Sequence, residues 1–298
     1  MKILLTGDWH LRFQKPQMRL DENYFATQYG KVEQIISIAE KNDCEYILQP
    51  GDFFDSVDTP WFVIQAYISL FKNSLVTILC IPGQHDLRHH TRNIENTPLG
   101  VMDAALTLGI INDYLLENEG VNIIGCGWGS EIKNAEGSGL NILLMHKMVV
   151  EKGPQWPGQT DFVSARMLFR QYPGFDLFVC GDNHKTFMAE NNGKFVVNCG
   201  SLMRANIDQV DHVPVVYIYD TNKRSLERIE LKVRSVKKVL DLQKAEALEV
   251  RNEKLEAFVE GLKTPETLGL DFVENLYRAM DETGVDQDVR EMAEEVLR

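Results

Sequence analysis

The chain has 298 residues, of which 44% are apolar, enough to fill a sizeable core in one large domain, or in one domain with a smaller appendage. Its formal charge of −13 argues against a protein that coats nucleic acid by bulk electrostatics, although not against one that holds it locally, because bound divalent cations reverse the field at a carboxylate-rich site. No apolar run reaches the roughly 18 residues of a membrane span, the N-terminus is too short and too soon acidic for a signal peptide, and Cys44, Cys80, Cys126, Cys180 and Cys199 read as free buried thiols of a reducing cytoplasm.

In chain order, Lys2–Thr6 predicts a first strand, and Tyr24–Lys41 a helix with Val32, Ile35, Ile36 and Ala39 on one face. Tyr46–Gln49 is a second strand, Pro60–Asn73 a helix with Pro60 in its first turn, Val76–Ile81 a third strand and Pro98–Leu108 a third helix. This alternation points to an α/β sheet covered by helices. Beyond Val121 the pattern is strand-rich, over Val121–Gly125, Asn141–Met145, Leu177–Cys180, Thr186–Glu190, Lys194–Asn198, Val213–Asp220 and Leu226–Val233. Asn191-Asn192-Gly193 marks a hairpin turn, and Val163–Phe169 a helix. The core is expected to be two-layered or sandwiched, with antiparallel strands from the second half. From about Val239 the spacing of Leu248, Leu255, Phe258, Val259 and Leu262 is helical in a charged background, Thr264-Pro265 breaks it, and Leu268–Thr283 and Gln287–Arg298 follow as helices. The chain thus reads as a domain over 1–238 and a helical region over 239–298.

Ligand-type residues fall where strands end. Asp8 and His10 follow the first strand, Gly51-Asp52 the second, and Gly83-Gln84-His85-Asp86 the third. His146 ends Asn141–Met145, and Gly181-Asp182-Asn183-His184 follows Leu177–Cys180. In open α/β sheets, sites lie outside the carboxyl ends of the strands. Carboxylate, imidazole and amide oxygen together suit Mn²⁺, Fe²⁺ or Zn²⁺. Six to seven such ligands exceed one tetrahedral zinc, so a pair of ions fits better. Taken singly, Asp-x-His is more often a turn or cap, and a lone His146 a satisfied buried histidine; the ordered set is what carries the metal reading.

The order D-x-H, G-D-x-x-D, G-N-H-D, H, G-H-x-H resembles that of the calcineurin-like metallophosphoesterases. Within them, Met1-Lys2-Ile3-Leu4-Leu5-Thr6-Gly7-Asp8-Trp9-His10 and Gly51-Asp52-Phe53-Phe54-Asp55 are similar to the SbcD-type nuclease subunits of DNA double-strand-break repair, phage forms included. Asn198-Cys199-Gly200-Ser201-Leu202-Met203-Arg204 resembles their P-G-S-x-x-R segment, and the likeness covers roughly residues 1–220. It implies an α/β, four-layer-type β-sandwich flanked by helices, with a short helical C-terminal appendage. It implies one ion held by Asp8, His10, Asp52 and His184, and a second held by Asp52, Gln84, His146 and Asp182. His85 would meet the scissile phosphate or protonate the leaving oxygen, oriented by Asp55, while Asp86 has a direct role or fixes the loop. Gln84 and Asp182 depart from the family's Asn and His. Both can still ligate, and the extra carboxylate favours Mn²⁺ or Mg²⁺ over zinc.

Arg88, His89, His90 and Arg92 follow the His85 loop, and Lys147, Lys185 and Arg204 lie beside other ligand segments. They suit phosphates flanking the scissile one, or serve as ordinary surface charge. Trp9 and Phe54 suit core packing better than base stacking. The resulting expectation is a cytoplasmic, Mn²⁺-dependent phosphodiesterase: an SbcD-type DNA exo- or endonuclease subunit in repair or recombination, with a homodimer or an SbcC-like coiled-coil ATPase as partner and no membrane. One alternative is a phosphodiesterase or phosphatase acting on a small nucleotide or phosphoprotein. Another is a weakly active structural subunit that binds the ATPase. Leu248, Leu255, Phe258 and Leu262 would either dock that partner or pack on the main domain.

Overall fold

A computed structural model describes residues 1–244 apart from 114, 136–137, 156–158 and 207–208, and beyond 244 only 276, 277, 280, 281, 287 and 289–291. The chain divides into two compact units, Met1–Val239 and Leu240–Arg298. The expected docking positions Leu248, Leu255, Phe258 and Leu262, with Val259 of the same helical pattern and most of the two final helices, lie outside the described residues. Among the described residues no helix is long and apolar enough to cross a membrane, and all five cysteines are buried free thiols.

The first unit runs β1 (Lys2–Leu5), α1 (Tyr24–Lys41), β2 (Tyr46–Gln49), α2 (Trp61–Lys72), β3 (Thr77–Cys80), α3 (Pro98–Ala104), β4 (Gly109–Ile110), β5 (Leu115–Asn118), β6 (Val121–Cys126), β7 (Leu140–His146), β8 (Val149–Val150) and β9 (Val163–Ser164). It continues through α4 (Ala165–Gln171), β10 (Leu177–Gly181), β11 (Phe187–Asn191), β12 (Lys194–Asn198), β13 (Val215–Asp220), β14 (Ser225–Glu230) and α5 (Val236–Val239). Pro60 caps α2 from outside, its ψ of 140° being extended rather than helical. The expected helix at Val163 begins two residues later, because Ser164 is its cap and accepts from the Met167 amide at 3.3 Å.

Two six-stranded sheets form, ordered β14-β13-β1-β2-β3-β4 and β11-β12-β10-β7-β6-β5. In the first, β1 to β4 are parallel, and β13 and β14 add antiparallel at one edge. The second departs from the expected antiparallel arrangement: β6, β7, β10 and β12 are parallel, and only the edge strands β5 and β11 run against them. The reason lies in burial. Every residue of β7 and β10 is buried, and strands covered on both faces belong to parallel interiors. The Asn192–Gly193 turn between β11 and β12 has φ of 54° and 74°, the left-handed pair that a tight hairpin needs.

Alternate residues build the layers. Ile3, Leu5, Leu48 and Leu79 meet Ile142, Leu144, Leu177 and Val179 between the sheets. Leu4, Ile47 and Ile78 face Val32 and Ile35 of α1 and Val63 and Tyr67 of α2, while Leu143 and Phe178 face Leu168 of α4. Helices therefore flank a sandwich of two sheets. Because β1, β2 and β3 are parallel, as are β7 and β10, the ligand segments of each sheet leave at one end, and the Asp8–Ser201 bridge ties the two sheets together there.

Candidate metal centre

Each ligand segment turns sharply after its strand. His10, Asp52 and Asp182 have φ of 45°, 49° and 75°, the left-handed region that side chains seldom adopt without support. Support comes from backbone bonds: the Trp9 and His10 amides both donate to the Asp52 carbonyl, at 3.1 and 2.9 Å. Gly51, at φ 101°, sits where a Cβ would lie 2.5 Å from His146 Nδ1. Only glycine lets the segment that carries Asp52 and this imidazole approach so closely.

The side chains converge. His10 Nε2 lies 3.0 Å from His184 Nε2 and 3.7 Å from Asp52 Oδ2. His184 Nε2 is 3.7 Å from Asp8 Oδ2, and His146 Nε2 is 3.5 Å from Asp52 Oδ2. Ligands that each stand about 2.0–2.2 Å from one ion are themselves about 3–4 Å apart, so these separations fit ions with Asp52 between them. His146 Nδ1–H donates to the Pro50 carbonyl at 2.8 Å, which turns Nε2 towards Asp52 as the atom that would ligate an ion. That Nε2 and Asp8 Oδ1 are buried with no hydrogen-bond partner among the described residues. Buried ligand-type atoms left without a hydrogen bond are what a bound cation would satisfy. Asp182 donates its amide to Asp8 Oδ2 at 2.9 Å, and Gln84 opens the one-turn helix whose His85 amide donates to Asp52 Oδ1 at 2.9 Å.

Electrostatics point the same way. Burial, then Asp52 and Asp182, push Asp8 well above the carboxylate range against the pull of His146. Burial, with Asp52, also raises Asp182. For Asp52 burial is outweighed by His146, His10 and His85, which hold it below the usual range. Burial disfavours charge on His146, yet Asp52 and Asp8 lift it to about 10; His10, buried beside His184 and His85, falls to about 3. A cluster of buried carboxylates whose only nearby compensation is imidazolium is relieved by divalent cations.

His85 differs in one respect from the expectation. Its Nδ1 lies 2.8 Å from the main-chain carbonyl of Asp55, while the Asp55 carboxylate is ion-paired to Arg12 and 3.7 Å from His10 Nδ1. Asp86 fixes the loop: its carboxylate accepts from the Gly83, Phe53 and Phe54 amides at 2.9, 3.1 and 2.9 Å. Trp9 and Phe54 are core residues. Pattern reading passed over Gln28, which clamps the first ligand loop by donating to the Trp9 and His10 carbonyls and accepting from the Arg12 amide. The available signal was a polar residue inside the buried stripe Tyr24, Gln28, Val32, Ile35 of α1. Asn198 was also missed; it ties the last ligand loop through the Asn183 and Lys185 carbonyls.

The basic residues do not gather at the centre. None of Arg88, His89, Arg92, Lys147, Lys185 and Arg204 lines the cavity over the ligands. Arg88 pairs with Asp58 at 3.1 Å, Arg92 donates to the Gly129 carbonyl, and His89 turns the loop at φ 52°. Arg204 is buried, and donates to the His212 and Arg234 carbonyls at 2.5 and 3.3 Å. The His90 side chain lies outside the described residues.

This fold and site define a metal-dependent phosphoester hydrolase domain. The family model described as calcineurin-like phosphoesterase matches residues 1–186, and the chain belongs to that family. No curated protein sequence matches it. A Staphylococcus aureus protein assigned as a 5′-nucleotidase, crystallised with α-ketoglutarate, superposes with a TM-score of 0.50 at 12% identity, over 94% of this chain and 58% of its own. The chain thus spans little more than half of that structure, and the likeness shows the fold alone. A dimetal phosphatase from Danio rerio gives 0.46 at 10% identity over 73% and 91% of the two chains. A hypothetical protein from Pyrococcus horikoshii gives 0.42 at 16%, over 85% and 93%.

Proposed function

We propose that this protein is a phosphodiesterase that cuts DNA, an SbcD-type nuclease subunit working with Mn²⁺. The observation that supports it best is the size of the cavity above the ligands, about 150 Å³, lined in part by Asp8, His10, Asp55, His85 and His184. Sites that enclose a small ligand measure roughly 300–1,000 Å³. A cavity of this size supports a substrate that presents a phosphate and keeps its bulk outside, as a nucleic-acid strand does.

Bound divalent ions supply Lewis acidity and a nucleophilic water. The chain's own residues supply the rest. His85 Nδ1–H donates to the Asp55 carbonyl, which orients the ring; with a second proton on Nε2, the imidazolium meets a phosphoryl oxygen or gives that proton to the leaving oxygen. Asp86 holds the loop that carries His85. Asp182, in place of a neutral imidazole, makes the ligand set harder and supports Mn²⁺ over zinc. The region 239–298 is part of the proposal, as the docking segment for a coiled-coil ATPase.

The test is a cleavage panel on linear single- and double-stranded DNA with Mn²⁺, Mg²⁺ and Zn²⁺. Mn²⁺-dependent cleavage, lost in His85→Ala with two ions still bound, is the expected result. Turnover confined to a mononucleotide, a phosphopeptide or a small diester would move the substrate assignment. Fewer than two ions and no turnover would make this a binding subunit.

A further inference from the structure

Beside the metal centre lies a second cavity of about 420 Å³, and Met203 lines both. Its wall gathers Arg19, Lys31, Arg204, Lys232 and Arg234 from four separate stretches of chain, and among the described residues no aspartate or glutamate lines it. This is unusual on a chain with 44 acidic and 31 basic residues. Elsewhere Arg12, Arg88, Arg224 and Arg228 are each paired with a carboxylate. Here, among the described residues, only Arg19 is, to Asp21 at 2.7 Å. Arg204 and Lys31 donate instead to neutral carbonyls: Arg204 to His212 and Arg234, Lys31 to Lys232 at 3.1 Å. Carbonyls orient these cations without cancelling their charge.

The strain of that arrangement is visible in Lys31. Burial, with Arg204 and Arg19 close by, lowers it to about 8, and burial and Arg19 lower Arg204 too, against a smaller opposing pull from Asp211. Such a group gains from an anion. The cavity also continues away from the metals: Arg234, Ala26 and Thr27 are shared with a wider cleft that adds Lys237 and Lys238 beside Asp21 and Glu22. A succession of cations leading from a reactive centre suits a ligand with several phosphates in a row better than a lone phosphate.

We propose that the cavity formed by Arg19, Lys31, Arg204, Lys232 and Arg234 is a phosphate subsite, which holds a non-scissile backbone phosphate of a nucleotide chain whose scissile phosphate lies at the metal centre. The role in cleavage rests on the nuclease reading; the binding does not, and the two are tested separately.

The full-length protein, stripped of metal with EDTA, is titrated against a fluorescent single-stranded oligonucleotide. The probe is the Lys232→Gln/Arg234→Gln double variant, whose changed side chains are exposed in the wild type. Anisotropy should show Kd raised about tenfold, with the salt slope of log K shallower by about 1. Hydrolysis of a small chromogenic phosphodiester should keep its kcat and KM, while KM for an oligonucleotide rises. Wild-type oligonucleotide affinity in the variant overturns the subsite. So does competition by inorganic phosphate or a mononucleotide at the same concentration as the oligonucleotide, which would mark a single-anion pocket. Variant-sensitive oligonucleotide binding without any DNA cleavage supports the subsite and overturns the nuclease reading instead.

Discussion

His85 is held through its Nδ1 by the main-chain carbonyl of Asp55, 2.8 Å away, while the Asp55 carboxylate is engaged by Arg12. The residue that positions the histidine therefore does so with an atom every amino acid possesses. Burial raises Asp55, and Arg12 and then His85 oppose that rise; the hydrogen bond of the carboxylate goes to Arg12.

It follows that Asp55→Asn and His85→Ala separate. His85→Ala should lower kcat by about 10²–10⁴-fold with metal content unchanged. Asp55→Asn keeps the carbonyl, and should stay within about tenfold of wild type with the same pH–rate profile. Equal losses in both variants would return the orienting role to the carboxylate.

Asp182 is the proposed ligand that would set the hardness of the set. In Asp182→His an imidazole replaces a carboxylate that burial and Asp52 already raise. Preference for Zn²⁺ relative to Mn²⁺ should rise by at least about tenfold, measured by competition and elemental analysis of the bound ions. An unchanged ratio would show that Asp182 is not a ligand.

Gly51 is a steric keystone for His146. A methyl group there meets His146 Nδ1 at 2.5 Å and Cγ at 2.8 Å, on a backbone with φ of 101°. Gly51→Ala should cost roughly 1–3 kcal/mol in denaturant titrations and release one of the two ions. Full metal content in a folded Gly51→Ala protein would remove His146 from the ligand set.

Lys31 makes a pH-dependent contribution whose sign is fixed. Its folded pKa of about 8 lies below the ordinary 10.5, so the unfolded chain binds more protons between those values and stability rises with pH across them. Lys31→Met should therefore raise Tm at pH 7. The advantage should shrink from about pH 8 and vanish above 10.5. A gain that persists at high pH would reflect packing rather than charge.

Much of the site was legible before any coordinates. Asp8, His10, Asp52, His146 and His184 each stand at a strand end, and a strand end with an adjacent glycine is written in a handful of neighbouring residues. Gln28 was legible too, as the polar break in an apolar stripe, but its meaning depends on the Trp9 and His10 carbonyls 18 to 19 residues away. Arg204 carried an incomplete signal. It adjoins a loop motif, yet its guanidinium is buried against the His212 and Arg234 carbonyls rather than turned to the metals.

By itself the sequence determined which side chains end the strands, that they are carboxylates and imidazoles, and where helices and hairpins lie. Those are short-range properties, set by periodicity, turn chemistry and backbone sterics. Only the tertiary structure decided that the second sheet has a parallel interior, that Asp55 acts through its carbonyl, and that five cations from four separate stretches share one cavity. These depend on which distant surfaces bury each other, and packing of that kind is not encoded within any one segment.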